Sequence, residues 1–215
     1  MSMSPKRIGL LALAALPAFA ACSADRTHFY TLLQPEPATA AVAGGAAFAI
    51  DVQHVRVPAQ VDQPELVVRQ GAGELALVET RQWIAPLKDE IRGALSAALT
   101  QRLHAHDVAG VSAPAGLPVY RVTVDVQRFD GWLAHSVGID AVWTVLADGG
   151  DAADDTQKSW TCASHAGVAV GGGYEPLVIG AQQAIAQIAA QIATLIDAVQ
   201  RGGDAGGVRC PSAAG

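Results

Sequence analysis

The residue with the most distinctive chemistry near the start of the chain is Cys22, which ends a run of small apolar residues. Lys6 and Arg7 precede an almost wholly apolar stretch, residues 8–21 (IGLLALAALPAFAA). This pattern is typical of a secretory signal peptide, and the stretch is shorter than the roughly 20 residues that span a bilayer. The sequence therefore predicts a signal peptide over residues 1–21 and a thiol at the point of cleavage. Such a thiol is either acylated or left as a free cysteine by ordinary secretion.

The residues around this cleavage point resemble the lipobox of bacterial lipoproteins. Ala20 and Ala21 supply two small residues before Cys22, although Phe19 stands where the motif usually has leucine. The resemblance implies that Cys22 is acylated and becomes the first residue of the mature chain. Several acyl chains, as lipoproteins of this kind carry, give stable anchoring. Ser23 stands where aspartate would commonly signal inner-membrane retention, so the expected location is the periplasmic face of the outer membrane.

Two further cysteines, Cys162 and Cys210, remain to be explained. In an oxidising periplasm they could pair, which would tie the glycine-rich tail back onto a strand. The alternative is two unpaired thiols, one buried and one in a mobile tail. Neither cysteine belongs to a CxxC motif or accompanies clustered histidines, so their spacing does not suggest a metal site.

The other reactive side chains give little support for catalysis. The sequence has no GxxxxGK[ST] phosphate-binding loop and no GxSxG or HExxH motif. His104 and His106 lie two residues apart near a predicted helix end, so they would point in different directions and make a poor metal pair. We therefore predict a protein that is not an enzyme and that needs no cofactor or metal.

The charge balance argues against one class of partner. Without residues 1–21 the chain has 12 Lys+Arg and 20 Asp+Glu, a net charge of −8. Nucleic-acid binding favours clustered basic residues, so a nucleic-acid partner is not expected. The same charge disfavours attraction to anionic lipid head groups.

The elements that would carry these residues begin with strands. Residues 48–58 (FAIDVQHVRVP) alternate in polarity but change phase near Gln53 and His54, which predicts a strand with a bulge. Residues 64–80 contain two short apolar runs around a GAG turn, which indicates a hairpin. Three further strands are predicted over residues 119–129, 136–147 and 158–168, the first two joined by a short connection and the three forming a meander.

Two helices complete the pattern. Apolar residues at spacings of three and four from Trp83 predict a helix of about 20 residues with Pro86 in its first turn. A second apolar stripe runs from Ile185 to Val199 and ends at Arg201. The most economical arrangement is an α/β fold, a single domain in which two long amphipathic helices pack on one mixed, mostly antiparallel sheet.

The predicted organisation has four parts. The signal peptide is followed by an anchor linker, residues 22–47, with a possible short strand at HFYTLL. The folded domain covers residues 48–201, a size sufficient for a real core, and residues 202–215 form a flexible tail. Trp83 is expected to lie in the core.

Several stretches together resemble one family, the ABC-type transport auxiliary lipoproteins. These stretches are YTL at 30–32, IDVQHVRVPAQVDQPELVVR at 50–69, RQWIAPLKDEI at 81–91, YRVTVDVQRFDG at 120–131 and AVWTVL at 141–146. The Ala/Ile/Gln-rich last helix completes the set. Gln60 departs from the family pattern, which usually has an aromatic or leucine-like residue there.

The resemblance implies a function and a set of partners. Such lipoproteins are tethered to the inner leaflet of the outer membrane and work beside an MCE-type periplasmic protein, an inner-membrane permease and an ATPase. These systems are thought to move lipids or other apolar compounds across the envelope. The expected fold is α/β, and a homo-oligomer is compatible with the sequence.

Two surface regions are predicted to contact a partner. Trp132 lies between two strands, where burial is less easily achieved, and exposed aromatic residues are favoured anchors at interfaces. The loop that contains Gln60, Val61, Gln63 and Pro64 is the second region, because its prolines limit sheet pairing and would leave Val61 accessible. A core position for Trp132 and a plain edge loop are the alternatives.

Two functions remain open from the sequence. The first is a non-catalytic lipoprotein that docks the periplasmic part of a transporter at the outer membrane. The second is a periplasmic carrier that binds lipid in an apolar pocket of its own. A carrier needs apolar residues beyond those of a two-helix, one-sheet core, and the stripes here are just sufficient for the core, which favours docking.

Overall fold

The computed structural model describes residues 26–35, 45–148, 158–202 and 210. Alternating apolar residues form strands and the two apolar stripes form helices. The elements are β1 (His28–Tyr30), β2 (Ala49–Arg56), β3 (Glu65–Arg69), β4 (Leu75–Trp83), α1 (Leu87–Leu103), β5 (Val119–Trp132), β6 (Ser136–Asp148), β7 (Lys158–Ala169) and α2 (Tyr174–Gln200). The predicted signal peptide, Cys22, the middle of the linker and most of the tail lie outside the described residues.

Within the described residues the strands form one mixed sheet in the order β1-β4-β3-β5-β6-β7, and β2 also pairs with β5. Strands β5, β6 and β7 form an antiparallel meander, whereas β2 and β3 each run parallel to β5. β2 pairs with the first half of β5, and Arg69 of β3 pairs with its last residue, Trp132. Strands β2 and β3 therefore follow one another along a single edge of β5.

Both helices cover the same face of this sheet. They contact each other, α1 packs on β2, and α2 packs on β6 and β7. The core consists of alternate strand residues and the helix stripes, with Trp143, Leu99 and Ile192 almost fully enclosed. The expected single-domain α/β fold is confirmed, and the opposite face of the sheet carries no helix of the described chain.

The prediction placed Trp83 just before the helix and Pro86 in its first turn, so the predicted start of α1 was about three residues too early. Trp83 is the last residue of β4, its amide donates to the Pro64 carbonyl (2.8 Å), and the helix begins at Leu87. Pro86 has an extended ψ of 136° and occupies the capping position. A proline also disfavours helical geometry in the residue before it, so the helix cannot extend back through Ala85 to Trp83.

The other local predictions agree with the structure. The register of β2 against β5 shifts between Val52 and Val55, which is the predicted bulge. Strands β3 and β4 form the predicted antiparallel hairpin. The short strand at HFYTLL is observed as β1, which pairs in parallel with the end of β4, so this piece of the linker belongs to the main sheet.

Helix α2 is long and apolar enough to cross a membrane by length and composition, and it is the only such helix in the described residues. More than half of its most apolar window is buried against the sheet and α1. A core helix has these same properties, so the apolar character of α2 is accounted for by packing.

Candidate partner-binding surface

The open face of the sheet, opposite the helices, carries a groove where β5, β6 and β7 lie side by side. The strand register places Asp130, Gly138 and Gly167 in one row across these strands. Trp132, Ser136 and Ala169 form the next row towards the end of β5. Because glycine has no side chain, Gly138 leaves room for the Arg128 guanidinium, which lies 3.0 Å from the position that a Cβ would take, and the His165 ring lies beside the directly paired Gly167.

The groove has a volume of about 250 Å³. Its lining combines an indole, an arginine, an aspartate, a histidine and small residues: Arg128, Asp130, Trp132, Ser136, Val137, Gly138, His165, Gly167, Val168 and Ala169. It is an open depression on the sheet face. A partner could therefore place a side chain or a strand against it.

A series of ion pairs, which we call the ladder, links neighbouring strands on the open face near Trp132. The Arg69 Nε donates to both carboxylate oxygens of Asp130 at 2.8 and 2.7 Å. The Arg128 Nε donates to Asp140 at 2.6 Å, and His165 also contacts Asp140. These links join β3, β5, β6 and β7 on the open face.

These contacts shift the ionisation of the central pair. The hydrogen bond from Arg128 holds the pKa of Asp140 below its ordinary value of 3.8. The same bond to Asp140 raises the pKa of Arg128 above its ordinary value. Both groups are therefore charged near neutral pH, and each charge is balanced by the other in an ion pair.

The charged residues of the groove are engaged in ion pairs. Arg128 of the lining pairs with Asp140, Asp130 pairs with Arg69, and the hydroxyl-bearing residue Ser136 lies beside Trp132. In the part of the chain that the structure describes, no three His, Cys, Asp or Glu side chains come together as a metal site.

The sequence suggested that Trp132 lies in the turn between two strands, whereas in the structure it is the last residue of β5. Its side chain is 38% exposed, and its ring stacks on His135 with centroids 4.4 Å apart. The turn closes through the His135 amide, which donates to the Trp132 carbonyl (3.1 Å), and Ala134 has a positive φ of 59°. The stacked Trp132 and His135 rings form an aromatic wall at the end of the groove.

The prediction that Val61 is accessible was wrong. Val61 is only 4% exposed and packs in the core, and its amide donates to the Pro58 carbonyl (3.0 Å). That hydrogen bond folds the loop into a turn and directs the valine inward, where it escapes water. Gln60 and Pro64 are exposed and Gln63 is half-buried, so these three residues form the loop's outer surface.

The two predicted contact regions are not brought together. The loop ends at Glu65, the first residue of β3, whereas Trp132 pairs with Arg69, the last residue of that strand. Four residues of strand separate these points, roughly 13 Å. The prediction for Trp83 is confirmed, because it is buried and packs edge-to-face on Phe129 with centroids 6.2 Å apart.

The structure joins Cys162 and Cys210 by a disulfide, with their Cα atoms 5.5 Å apart. Cys162 is buried on β7, an edge strand of the sheet, and Cys210 is exposed. The bridge therefore attaches a point of the tail to that edge.

An apolar void lies inside the core between α2, the hairpin and β5. It is lined by residues that include Val61, Trp83, Leu87, Phe129 and Leu177, and its volume is about 10 Å³. Ligand pockets in proteins typically measure about 300–1,000 Å³. This void is close to the volume of a single water site.

The sequence analysis did not identify the groove residues other than Trp132. Arg69 and Asp130 are 61 positions apart, and they meet only because β3 and β5 are adjacent. The alternation of charged residues along β5 and β6 was a usable signal for an open face. It could not reveal which charges pair, because that depends on the register between strands.

Two solved structures have a similar fold. The structure is similar to a crystal structure of an uncharacterized protein, with a TM-score of 0.61, 22% identity, and coverage of 80% of this chain and 99% of the other. It is also similar to a protein from Xanthomonas campestris of the family DUF330, with a TM-score of 0.54, 18% identity, and coverage of 81% and 99%. No match was found among curated proteins.

The family comparison covers most of the chain. Residues 30–193 match the model of the ABC-type transport auxiliary lipoprotein component. The match begins in β1 and ends within α2, so it includes the sheet, both helices and the groove. The chain therefore belongs to the ABC-type transport auxiliary lipoprotein family.

Proposed function

We propose that this protein is an outer-membrane lipoprotein that docks the periplasmic part of an MCE/ABC-type envelope transport system. Acylated Cys22 anchors it to the periplasmic face of the outer membrane. An MCE-type protein contacts the groove, and the inner-membrane permease and ATPase supply the transport work. The cargo is a lipid or another apolar compound, and this chain takes no catalytic part.

The observation that carries the docking role is the open sheet face around Trp132. Tryptophan and arginine are over-represented among the residues that dominate binding energy at interfaces. Here an exposed indole stands beside arginines whose charges are already paired. A partner that covers this surface would bury arginines and aspartates that are already paired with each other. The cost of removing these charges from water is therefore lower than for unpaired charges.

The carrier hypothesis has less support. A lipid carrier must enclose at least one acyl chain, and the apolar void in the core holds about 10 Å³. To accept a chain the protein would have to separate α2 from the hairpin, which would break packing that involves Trp83 and Leu177. We therefore favour docking.

The test is site-specific photocrosslinking in intact envelopes, with a photoreactive residue at Trp132 and, separately, at Gln60. We expect the Trp132 site to capture an MCE-type protein, and Gln60 is the second expected contact. Val111, which is exposed in the loop before β5, provides the control site. Recovery of only abundant, unrelated envelope proteins from Trp132 would contradict the proposal.

Affinity gives a second measure with the captured partner. Trp132→Ala should weaken binding by at least tenfold, since truncation of a central aromatic residue costs about 2 kcal/mol or more. Val142→Ala is the matched control, because Val142 is similarly exposed on the open face, on β6 and away from the groove. Equal effects of the two substitutions would argue against Trp132 as the anchor.

A further inference from the structure

The edge of the sheet formed by β1 and β4 exposes large apolar side chains. Phe29 is 57% exposed, Leu77 54% and Ile84 61%. In the described residues, the other large apolar side chain exposed to this extent is Val111, at 69%, in a loop elsewhere. Exposed apolar residues that concentrate in one region mark a contact surface, whereas scattered ones need no explanation.

The backbone brings these three residues to one side of the molecule. Phe29 pairs with Gln82 of β4, and the amide of Ile84 donates to the Tyr30 carbonyl (2.9 Å). Leu77 lies on the same strand as Gln82 and pairs with Val67, which faces away from the core positions Leu66 and Val68. Strand β1 is at the border of the sheet, so no further strand of the described chain covers Phe29.

This edge is the part of the described chain that directly follows the anchor. Only residues 23–27 separate Cys22 from the first residue of β1. Six residue steps of fully extended chain span roughly 20 Å, so an acylated Cys22 holds β1 within that distance of the bilayer surface.

The segment after β1 is fixed firmly to the body. Leu32 is buried, its amide donates to Glu90 on α1 (2.7 Å), and Gln182 on α2 donates to the Thr31 carbonyl (3.1 Å). The short tether therefore restrains the whole domain and not a loose strand. The surface nearest the anchor point is the β1–β4 edge.

We propose that the β1–β4 edge lies on the phospholipid surface, with Phe29, Leu77 and Ile84 seated at the boundary between head groups and acyl chains. The proposal rests on the anchoring of Cys22 in the function proposed above. The mature chain has a net charge of −8, so charge attraction to anionic lipids does not hold the edge there. The contact is apolar, and it orients the groove of β5–β7 beside the membrane for the incoming partner.

The test uses the full lipidated protein in vesicles of phosphatidylethanolamine and phosphatidylglycerol that contain a brominated phospholipid. Phe29→Trp, Leu77→Trp and Ile84→Trp each place a fluorophore on the edge, and the unsubstituted protein gives the background of the native tryptophans. Val111→Trp is the matched control. Val111 lies in the loop before β5. The Val108 amide of this loop donates to the Ile50 carbonyl, and Ile50 lies roughly 25 Å along the sheet from the level of Gln82.

We expect bromolipid to reduce the added fluorescence of the three edge variants roughly two-fold, since residues at this boundary lie about 5–10 Å into the membrane. The Val111→Trp signal should not change, and 0.5 M salt should leave the quenching intact because the contact is apolar. Quenching that is absent at the edge, equal at Val111 or abolished by salt would overturn the proposal.

Flotation of the same vesicles separates this inference from the proposed function. Protein that floats but shows no edge-specific quenching is anchored without the body contact, which overturns the inference and leaves the docking function standing. Protein that does not float lacks the anchor, and that result contradicts both. All three substitutions replace exposed side chains, so the fold should tolerate them, and circular dichroism checks this.

Discussion

The carboxylate of Glu90 on α1 accepts the backbone amide of Leu32, 58 residues earlier in the chain, at 2.7 Å. The same oxygen accepts the Thr31 hydroxyl at 2.8 Å. Glu90 is only 4% exposed, so a buried side chain of the first helical turn provides the acceptor for the segment that leaves β1. This contact couples the segment after β1 to the helical layer.

Glu90→Ala should lower the free energy of unfolding by about 2–3 kcal/mol, because it leaves the buried Leu32 amide without its acceptor. Glu90→Gln keeps an acceptor oxygen and should cost less. Urea unfolding gives the free energies, and hydrogen exchange at the Leu32 amide reports the local loss. Asp89→Asn, at the exposed neighbouring position, is the control. If Glu90→Ala unfolds at the urea midpoint of the unsubstituted protein, Glu90 does not hold the segment.

Two helix-interior glycines should respond oppositely to alanine. A Cβ on Gly180 of α2 would lie 2.4 Å from the Val170 Cγ1 and 3.3 Å from the Val137 Cγ2, whereas a Cβ on Gly93 of α1 would meet Leu33 at an ordinary 3.5 Å. Gly180→Ala should therefore destabilise the protein by about 1–3 kcal/mol through overpacking. Gly93→Ala should be neutral or stabilise it by up to about 1 kcal/mol through helix propensity.

The rescue variant makes this prediction specific. Val170→Ala combined with Gly180→Ala removes the closest clash and should restore most of the lost stability in thermal or urea unfolding. A Gly180→Ala variant as stable as Gly93→Ala would show that α2 does not approach β6 and β7 as closely as the structure indicates.

Much of the fold follows from local sequence signals. The bulge between Val52 and Val55, the hairpin of β3 and β4, and the stripe of α2 all depend on residues close together in the chain. Their periodicities are set by burial on one face, and they appear in the structure as expected. The error at the start of α1 has a similar origin: Ile84 fits the helical spacing, but Pro86 caps the helix and does not lie within its first turn.

The site was predictable only in part, because it depends on contacts between distant residues. Trp132 was identified from its exposure next to a short connection, and the structure confirms that exposure. The Arg69–Asp130 pair and the opposed glycines Gly138 and Gly167 depend on strand register, which composition does not specify. Val61 was misplaced because a proline-rich loop has no periodicity from which an inward turn could be read.

The disulfide between Cys162 and Cys210 should stabilise the folded chain. The two residues are 48 positions apart, and closure of a loop of this length in the unfolded state corresponds to about 2–4 kcal/mol. Cys210→Ser, or reduction of the unsubstituted protein, should lower the free energy of urea unfolding by that amount. Reductant should have no further effect on Cys210→Ser, which serves as the control. Identical urea midpoints with and without reductant would show that the bridge adds no stability.

The Arg128–Asp140 pair should make stability depend on acid pH. The pKa of Asp140 is depressed in the folded state, chiefly by the hydrogen bond from Arg128. Its contribution is therefore complete above the ordinary value of 3.8 and is lost as the pH falls through the lower folded value. Since both side chains are more than a third exposed, the contribution at neutral pH should be below about 1 kcal/mol.

The measurement is the difference in urea midpoint between the unsubstituted protein and Asp140→Asn from pH 7 to pH 2.5. Asparagine cannot ionise, so the difference should be constant down to about pH 4 and then shrink as Asp140 becomes protonated in the unsubstituted protein. A difference that stays constant across the whole range would mean that Arg128 does not stabilise the charged form of Asp140, and that the ladder beneath Trp132 is not held by this pair.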